Sequence, residues 1–148
     1  MNRESVFEQL KIDEGVVNEV YHDHLGYPTF GVGHLILESD EEFGRPLGTA
    51  VTEERVRACF ERDLDIAISE CVALYGEGFT DWPGTVQEVL VNMMFNMGYP
   101  RLSKFKMMKA AVDAEDYQQA AIEMKSSLWY KQVTNRAQRL CDRMSAIS

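Results

Sequence analysis

Hydrophobic and polar positions change their rhythm twice along the chain. In SVFEQLKIDEG, Phe7, Leu10 and Glu14 recur at i, i+3 and i+7, one face of a helix. Ser5, with Glu8 three positions on, has capping-box spacing, and Gly15 is a suitable stop. Residues 17–37 alternate instead, with β-branched and aromatic residues between glycines. This pattern predicts a small antiparallel sheet with turns at 24–26 and near 31–33. ESDEEFGRPLG reads as a polar loop. The helical period returns after Thr52, a good cap, with Val56, Phe60, Leu64, Ala67, Ile68 and Cys71 on one face until Gly76 ends it. GEGFTDWPG is a turn, and TVQEVLVNMMFNMG is apolar nearly all round, which marks a buried helix. SKFKMMKAAV, AEDYQQAAIEMK and LWYKQVTNRAQRLCDRMSAI read as three further helices.

The order of elements predicts an α+β chain, mainly α. One domain is expected over residues 1–148, with a small antiparallel sheet lobe at about 15–51 and a connecting helix at about 52–75. A helical lobe at about 76–148, joined by the helix of residues 1–14, completes it, with a cleft expected between the lobes. At 148 residues and 45% hydrophobic, the chain can bury a sizeable core. No stretch approaches the roughly 20 apolar residues of a membrane span. The opening MNRESVFEQLKIDEG lacks the apolar region of a signal peptide, so nothing in it directs secretion.

The three cysteines, Cys59, Cys71 and Cys141, are odd in number. Cys59 and Cys71 fall on one predicted helix about 18 Å apart, too far for a disulfide, so free thiols are expected. No CxxC pair or Cys–His spacing suggests zinc, and no cofactor is expected. The net charge of −9 is uneven. Residues 1–98 carry 6 Lys and Arg against 19 Asp and Glu, whereas residues 99–148 carry 9 against 5. So acidic a chain is a poor nucleic-acid binder, although its basic C-terminal part could attract an anionic polymer locally.

The chemistry is concentrated in YHDHLGYPTFGVGH, residues 21–34, which hold all three histidines. Three readings fit this window: a catalytic hairpin, a metal site and an ordinary turn. For the first, Glu14 lies at the C-terminal end of a helix, where the dipole disfavours another negative charge, beside Leu10, Val16 and Val17. A carboxyl group whose pKa is raised there could serve as a general acid. Asp23, nine residues on in a polar turn, should stay ionised, and such a contrast between two carboxyl groups is the signature of acid–base hydrolysis. For the second, His22 and His24 point to one side of an extended strand, and His34 could fold back, but no fourth ligand or known metal spacing is present. His34 is otherwise expected as a buried imidazole with Asp63 of the long helix as a candidate partner.

KIDEG followed by YHDHLGYPTFGVGHL closely resembles the T-even phage lysozyme family of muramidases. The pattern is Glu, eight residues, Asp, five residues, Thr, then Gly-x-Gly-His, filled here by Glu14, Asp23, Thr29 and residues 31–34. FERDLDIAI, VLVNMMFNMG, WYKQVTNRAQR and the order of helices extend the likeness over nearly the whole chain. The departures are a short inter-lobe loop, Thr134 where the family often has proline, and an earlier end at Ser148. The resemblance implies an endolysin that hydrolyses the β-1,4 bond between N-acetylmuramic acid and N-acetylglucosamine in bacterial peptidoglycan, with inversion. It implies Glu14 as general acid, Asp23 as the second carboxylate and Thr29 as a residue holding the attacking water. Inversion requires the two carboxyl groups to stand roughly 6.5–9.5 Å apart.

The resemblance also implies that Leu35, Phe95 and Asn96 meet the saccharide. Met108 and Glu123 replace a serine and an asparagine that touch sugar in the family, so neither is assigned. Arg136 is expected near Glu14, Arg139 near Asp13, and His34 with Asp63 as a structural pair between sheet and long helix. Gly26 is expected to permit the hairpin turn, and Gly31 and Gly33 to let the strand approach substrate. His22 and His24 are expected at the surface. The expected partners are peptidoglycan glycan strands, with no nucleic acid and no membrane span, and the protein is expected to be a monomer. The resemblance further implies accumulation in the host bacterial cytoplasm before release to the cell wall. Two competing activities are a lytic transglycosylase, which manages with a lone acid, and a glycan-binding module, against which the complete Glu14, Asp23 and Thr29 set argues. A tail-borne lysozyme module is a third possible context.

Overall fold

The computed structural model describes residues 1–147; Ser148, the early end noted above, lies outside the described residues. The element order is α1 (Arg3–Glu14), β1 (Val17–His22), β2 (Pro28–Gly31), β3 (His34–Leu35), α2 (Glu53–Tyr75), a 3₁₀ turn (Glu77–Asp81), α3 (Gly84–Met97), α4 (Tyr99–Leu102), α5 (Lys106–Asp113), α6 (Tyr117–Lys125), α7 (Leu128–Gln132) and α8 (Thr134–Ser145). Helix takes 63% of the chain and the sheet has three antiparallel strands, an α+β arrangement that is mainly α. Among the described residues no helix is long and apolar enough to cross a membrane.

Residues Arg3–Ile66 form one compact unit, and Met1–Asn2 with the chain from Ala67 onward form a second. The first unit carries α1 together with the sheet, whereas the sequence reading grouped that helix with the helical lobe. The reason lies in what α1 meets. Phe7 packs edge-on against Phe60 of α2 at 4.7 Å between ring centroids, and the Arg57 guanidinium lies 4.0 Å from the centre of the Phe7 ring. Arg3 bonds Glu61 and Asp65, and Arg57 bonds Glu4. These ion pairs join the first turn of α1 to α2; α1 begins at Arg3, so Ser5 lies inside it rather than at its cap. Gly15, at φ 76°, returns its N–H to the Lys11 carbonyl and ends the helix.

The core of this unit is built from Leu10, Val20, Phe30, Val56, Phe60 and Leu64, all nearly inaccessible to solvent. Burying a side chain the size of Phe30 contributes about 2–3 kcal/mol before entropy is counted. Thr52 caps α2 through its hydroxyl, which accepts the Arg55 N–H at 3.1 Å, and Gly76 at φ 103° follows the helix end.

In the second unit, α3 is buried along most of its length, from Val86 to Met94, as its uniform apolarity requires. Tyr75, Phe79 and Trp82 stack with one another at its approach. The final stretch, read from sequence as one helix, is two. Val133, at φ −128° and ψ 52°, sits outside helical geometry between α7 and α8. All three cysteines are free and buried.

Candidate active site

The hairpin of β1 and β2 sets the geometry. Tyr21 pairs with Thr29 and His22 with Pro28, but Val17 pairs with Gly31, so four steps along β1 answer two along β2. The bulged residues find other partners: Val20 N–H bonds the Thr49 carbonyl, Gly48 N–H the Val20 carbonyl and Val51 N–H the Asn18 carbonyl. On the other edge Thr29 pairs with Leu35 and Phe30 with His34. Opposed residues share a face of a sheet. Tyr21, Thr29 and Leu35 therefore form one row across the three strands. Phe30 and His34, with ring centroids 5.0 Å apart, face the opposite way into the core.

Asp23 occupies the turn. Its N–H bonds the Tyr27 carbonyl, and its carbonyl accepts Gly26 N–H. Its Oδ1 accepts both Leu25 N–H and Tyr27 N–H at 2.9 Å. One carboxylate oxygen thus organises the turn, while Oδ2 makes no bond to the described residues. Gly26, at φ 85°, supplies the left-handed conformation that this turn needs. Thr29, 3% exposed, donates its hydroxyl to the Tyr27 carbonyl at 2.9 Å, which leaves its oxygen able to accept. His22 and His24 are both exposed.

Glu14, half-buried, ends α1 against the β2–β3 turn. Burial, then the charges of Glu14 and Asp23, push the Tyr21 phenol above its ordinary pKa.

The glycines at the turn are also required by the protein's own packing. A Cβ on Gly31 would stand 3.2 Å from Val56, and one on Gly33 would stand 3.1 Å from Glu14 Oε2. Gly33 is also at φ 61°, where an L-residue is strained by about 1–2 kcal/mol. Because the atom in the way is the tip of a flexible side chain, Gly33→Ala is expected to displace Glu14 rather than unfold the unit. Lytic turnover should fall about tenfold with a Tm loss of only a few degrees. A variant with unchanged turnover would show that the Glu14 position is not set by this contact.

His34 and Asp63 meet at 2.7 Å through Nδ1, and Nε2 lies 2.7 Å from Asp40 Oδ2. Burial would lower the His34 pKa, but hydrogen bonds to Asp63 and Asp40 outweigh it and leave the pKa raised. Asp40 also accepts Leu37 N–H at 2.8 Å, and Arg55 spans Asp40 and both oxygens of Glu42. The three histidines do not gather: one is locked in this network and two are at the surface. Asp40, Arg55 and Tyr21 were not singled out from sequence. Asp40 lay in a segment read as polar loop, whereas Tyr21 could have been found by folding the hairpin about 24–26, which sets it opposite Thr29.

In the second unit Phe95 is half-buried on α3, and Asn96 accepts the Trp129 indole N–H through Oδ1 at 2.7 Å. Arg136, buried on α8, donates Nε to Asn92 Oδ1 at 2.8 Å. Met108 is buried, and Glu123 lines a cavity of about 280 Å³ with Lys104, Lys106, Ser126 and Ser127.

Residues 11–146 match the family model described as phage lysozyme. The chain is 30% identical to probable T4-type lysozyme 1 of Dictyostelium discoideum, across 92% of this chain and 91% of that protein. It is 32% identical to the pre-baseplate central spike protein Gp5 of Enterobacteria phage T4, across 92% of this chain and 27% of that protein. Its identity to the peptidoglycan hydrolase gp36 of Pseudomonas phage phiKMV is 29%, across 89% of this chain and 14% of that protein.

Proposed function

The chain belongs to the phage lysozyme family, and from that premise we propose how its side chains cut peptidoglycan. It is a glycoside hydrolase, a muramidase of the endolysin type whose substrate is bacterial peptidoglycan. In the proposed mechanism Glu14 donates its proton to the glycosidic oxygen as the bond to C1 of N-acetylmuramic acid breaks. A water attacks C1 from the opposite face, held by the Thr29 oxygen, and loses its proton to Asp23 Oδ2. What supports this assignment is that Glu14 lies against Gly33 at the β2–β3 turn while Asp23 closes the β1–β2 turn of the same small sheet, beside the row that contains Thr29. Leu35 extends that row and is 47% exposed, consistent with a saccharide contact. Phe95 and Asn96 are proposed as further saccharide contacts, and His34 with Asp63, and Arg136, as the supports of the site. The proposed working form is a monomer that accumulates in the host bacterial cytoplasm and reaches the wall after release.

Inversion at C1 makes the proposal testable by products. Digestion of purified Gram-negative peptidoglycan should lower its turbidity and release muropeptides with hydrolysed, reducing N-acetylmuramic acid ends. Proton NMR of the fresh digest should show the α-anomer first. An initial β-anomer would overturn inversion, and anhydro ends would overturn hydrolysis.

A further inference from the structure

We propose that His34, Asp40 and Cys59 form a binding site for a borderline-soft divalent cation, zinc by class. All three residues are buried, and one ligand atom from each, a ring nitrogen, a carboxylate oxygen and the thiol sulfur, lies within 4.8 Å of the others. A mixed N, O, S donor set of this kind suits zinc rather than magnesium or calcium, which take oxygen ligands. The sequence reading assigned no metal, because it offered no CxxC pair, Cys–His spacing or known metal motif; these three ligands stand six and nineteen residues apart. It is the chain's path from β3 through the polar loop to α2 that gathers these three.

The surroundings are those a metal ligand requires. His34 Nδ1 is held by Asp63 at 2.7 Å, which aims Nε2 at Asp40. A ligating histidine fixed through its other nitrogen by a carboxylate is the usual outer-shell arrangement at zinc. Asp40 is oriented in the same way, with Oδ1 bonded by Arg55 at 3.3 Å and Oδ2 by Leu37 N–H at 2.8 Å. The cation would displace the proton between Nε2 and Oδ2, the two atoms moving from 2.7 Å to the roughly 3.3 Å that tetrahedral zinc ligation requires. The exchange is electroneutral: a dication enters, and the thiol proton of Cys59 and the imidazolium proton of His34 leave. Asp40, Asp63 and Glu42 outnumber Arg55 as fixed charges around the trio, so the dication is not isolated. Three protein ligands leave one tetrahedral position for water. The bound ion would tie β3 and the following loop to α2.

Cobalt(II) reports the site directly, because a thiolate ligand gives a near-ultraviolet charge-transfer band. Titration of chelator-treated protein with cobalt should show this band saturating at one equivalent and disappearing when zinc is added. The Cys71→Ala, Cys141→Ala double variant retains Cys59 as its sole thiol and should keep the band. Cys59→Ala should lose it, and zinc should raise the Tm of wild type but not of that variant. A wild type without the band, a double variant that loses it, or a Cys59→Ala protein that keeps it would each overturn the proposal. Cobalt held by the exposed His22 and His24 would give no thiolate band and counts as overturning as well.

Discussion

Glu14→Gln is expected to lower the rate of cell-wall lysis about a thousandfold, a barrier increase of about 4 kcal/mol, with no change in fold. Glutamine has the shape of glutamic acid and nearly the same helix propensity, so α1 keeps its last turn. The stop after it is a backbone bond, Gly15 N–H to the Lys11 carbonyl at 2.9 Å, and does not involve the side chain. The contact with Gly33 is steric and survives in the amide. What the amide cannot do is transfer a proton to a leaving alkoxide. The measurement is turbidity loss on purified peptidoglycan, alongside circular dichroism and Tm. Wild-type turnover in the folded variant would remove Glu14 from the chemistry. Glu14→Asp is the graded control: the proton is still available, but one methylene fewer withdraws it from Gly33, so an intermediate rate is expected.

Much of this arrangement could be read from residue order because the physics that produces it is local. Alternation over 17–37 set the sheet, and Gly26 placed the first turn because a backbone at φ 85° nearly demands glycine. Thr52 and Gly76 bracketed α2 through cap chemistry that spans only three or four residues. What was not legible was non-local. At the start of α1, Arg3 bonds Glu61 and Asp65, about sixty residues away. The break at Val133 is marked by no glycine or proline, so the sequence gives no local sign of it. Gly31 and Gly33 were recognised as points of close approach, but whether the approaching atoms belong to substrate or to Val56 and Glu14 is a tertiary fact. Asp40 is the clearest case. In ESDEEFG nothing distinguishes it from its neighbours, yet its side chain is 2% exposed and gathers His34, Leu37 and Arg55, whereas Glu41 beside it is 70% exposed. Burial of a charge is decided by the partners that arrive, and sequence does not show their arrival.

Asp23→Asn separates the two duties of a single carboxylate. Oδ1 is a structural acceptor, taking the N–H groups of Leu25 and Tyr27 and closing the hairpin turn. An asparagine carbonyl can accept both, more weakly than a carboxylate, so the turn and the Tyr21–Thr29 register should be preserved with only a small loss of Tm. The other position changes from an oxygen that can take a proton to an NH₂ that can only donate. If Oδ2 activates the water, turnover should fall about a hundredfold to a thousandfold while binding of glycan fragments is nearly unchanged, a loss in kcat rather than KM. Asp23→Ala removes both duties and should lose Tm as well as turnover, because two backbone N–H groups are left without their acceptor. A transglycosylase that relied on Glu14 alone would tolerate asparagine here. An Asp23→Asn protein with full lytic rate would therefore leave Glu14 as a lone acid and point to anhydro products, whereas a folded, silent variant supports a water delivered from the Asp23 side.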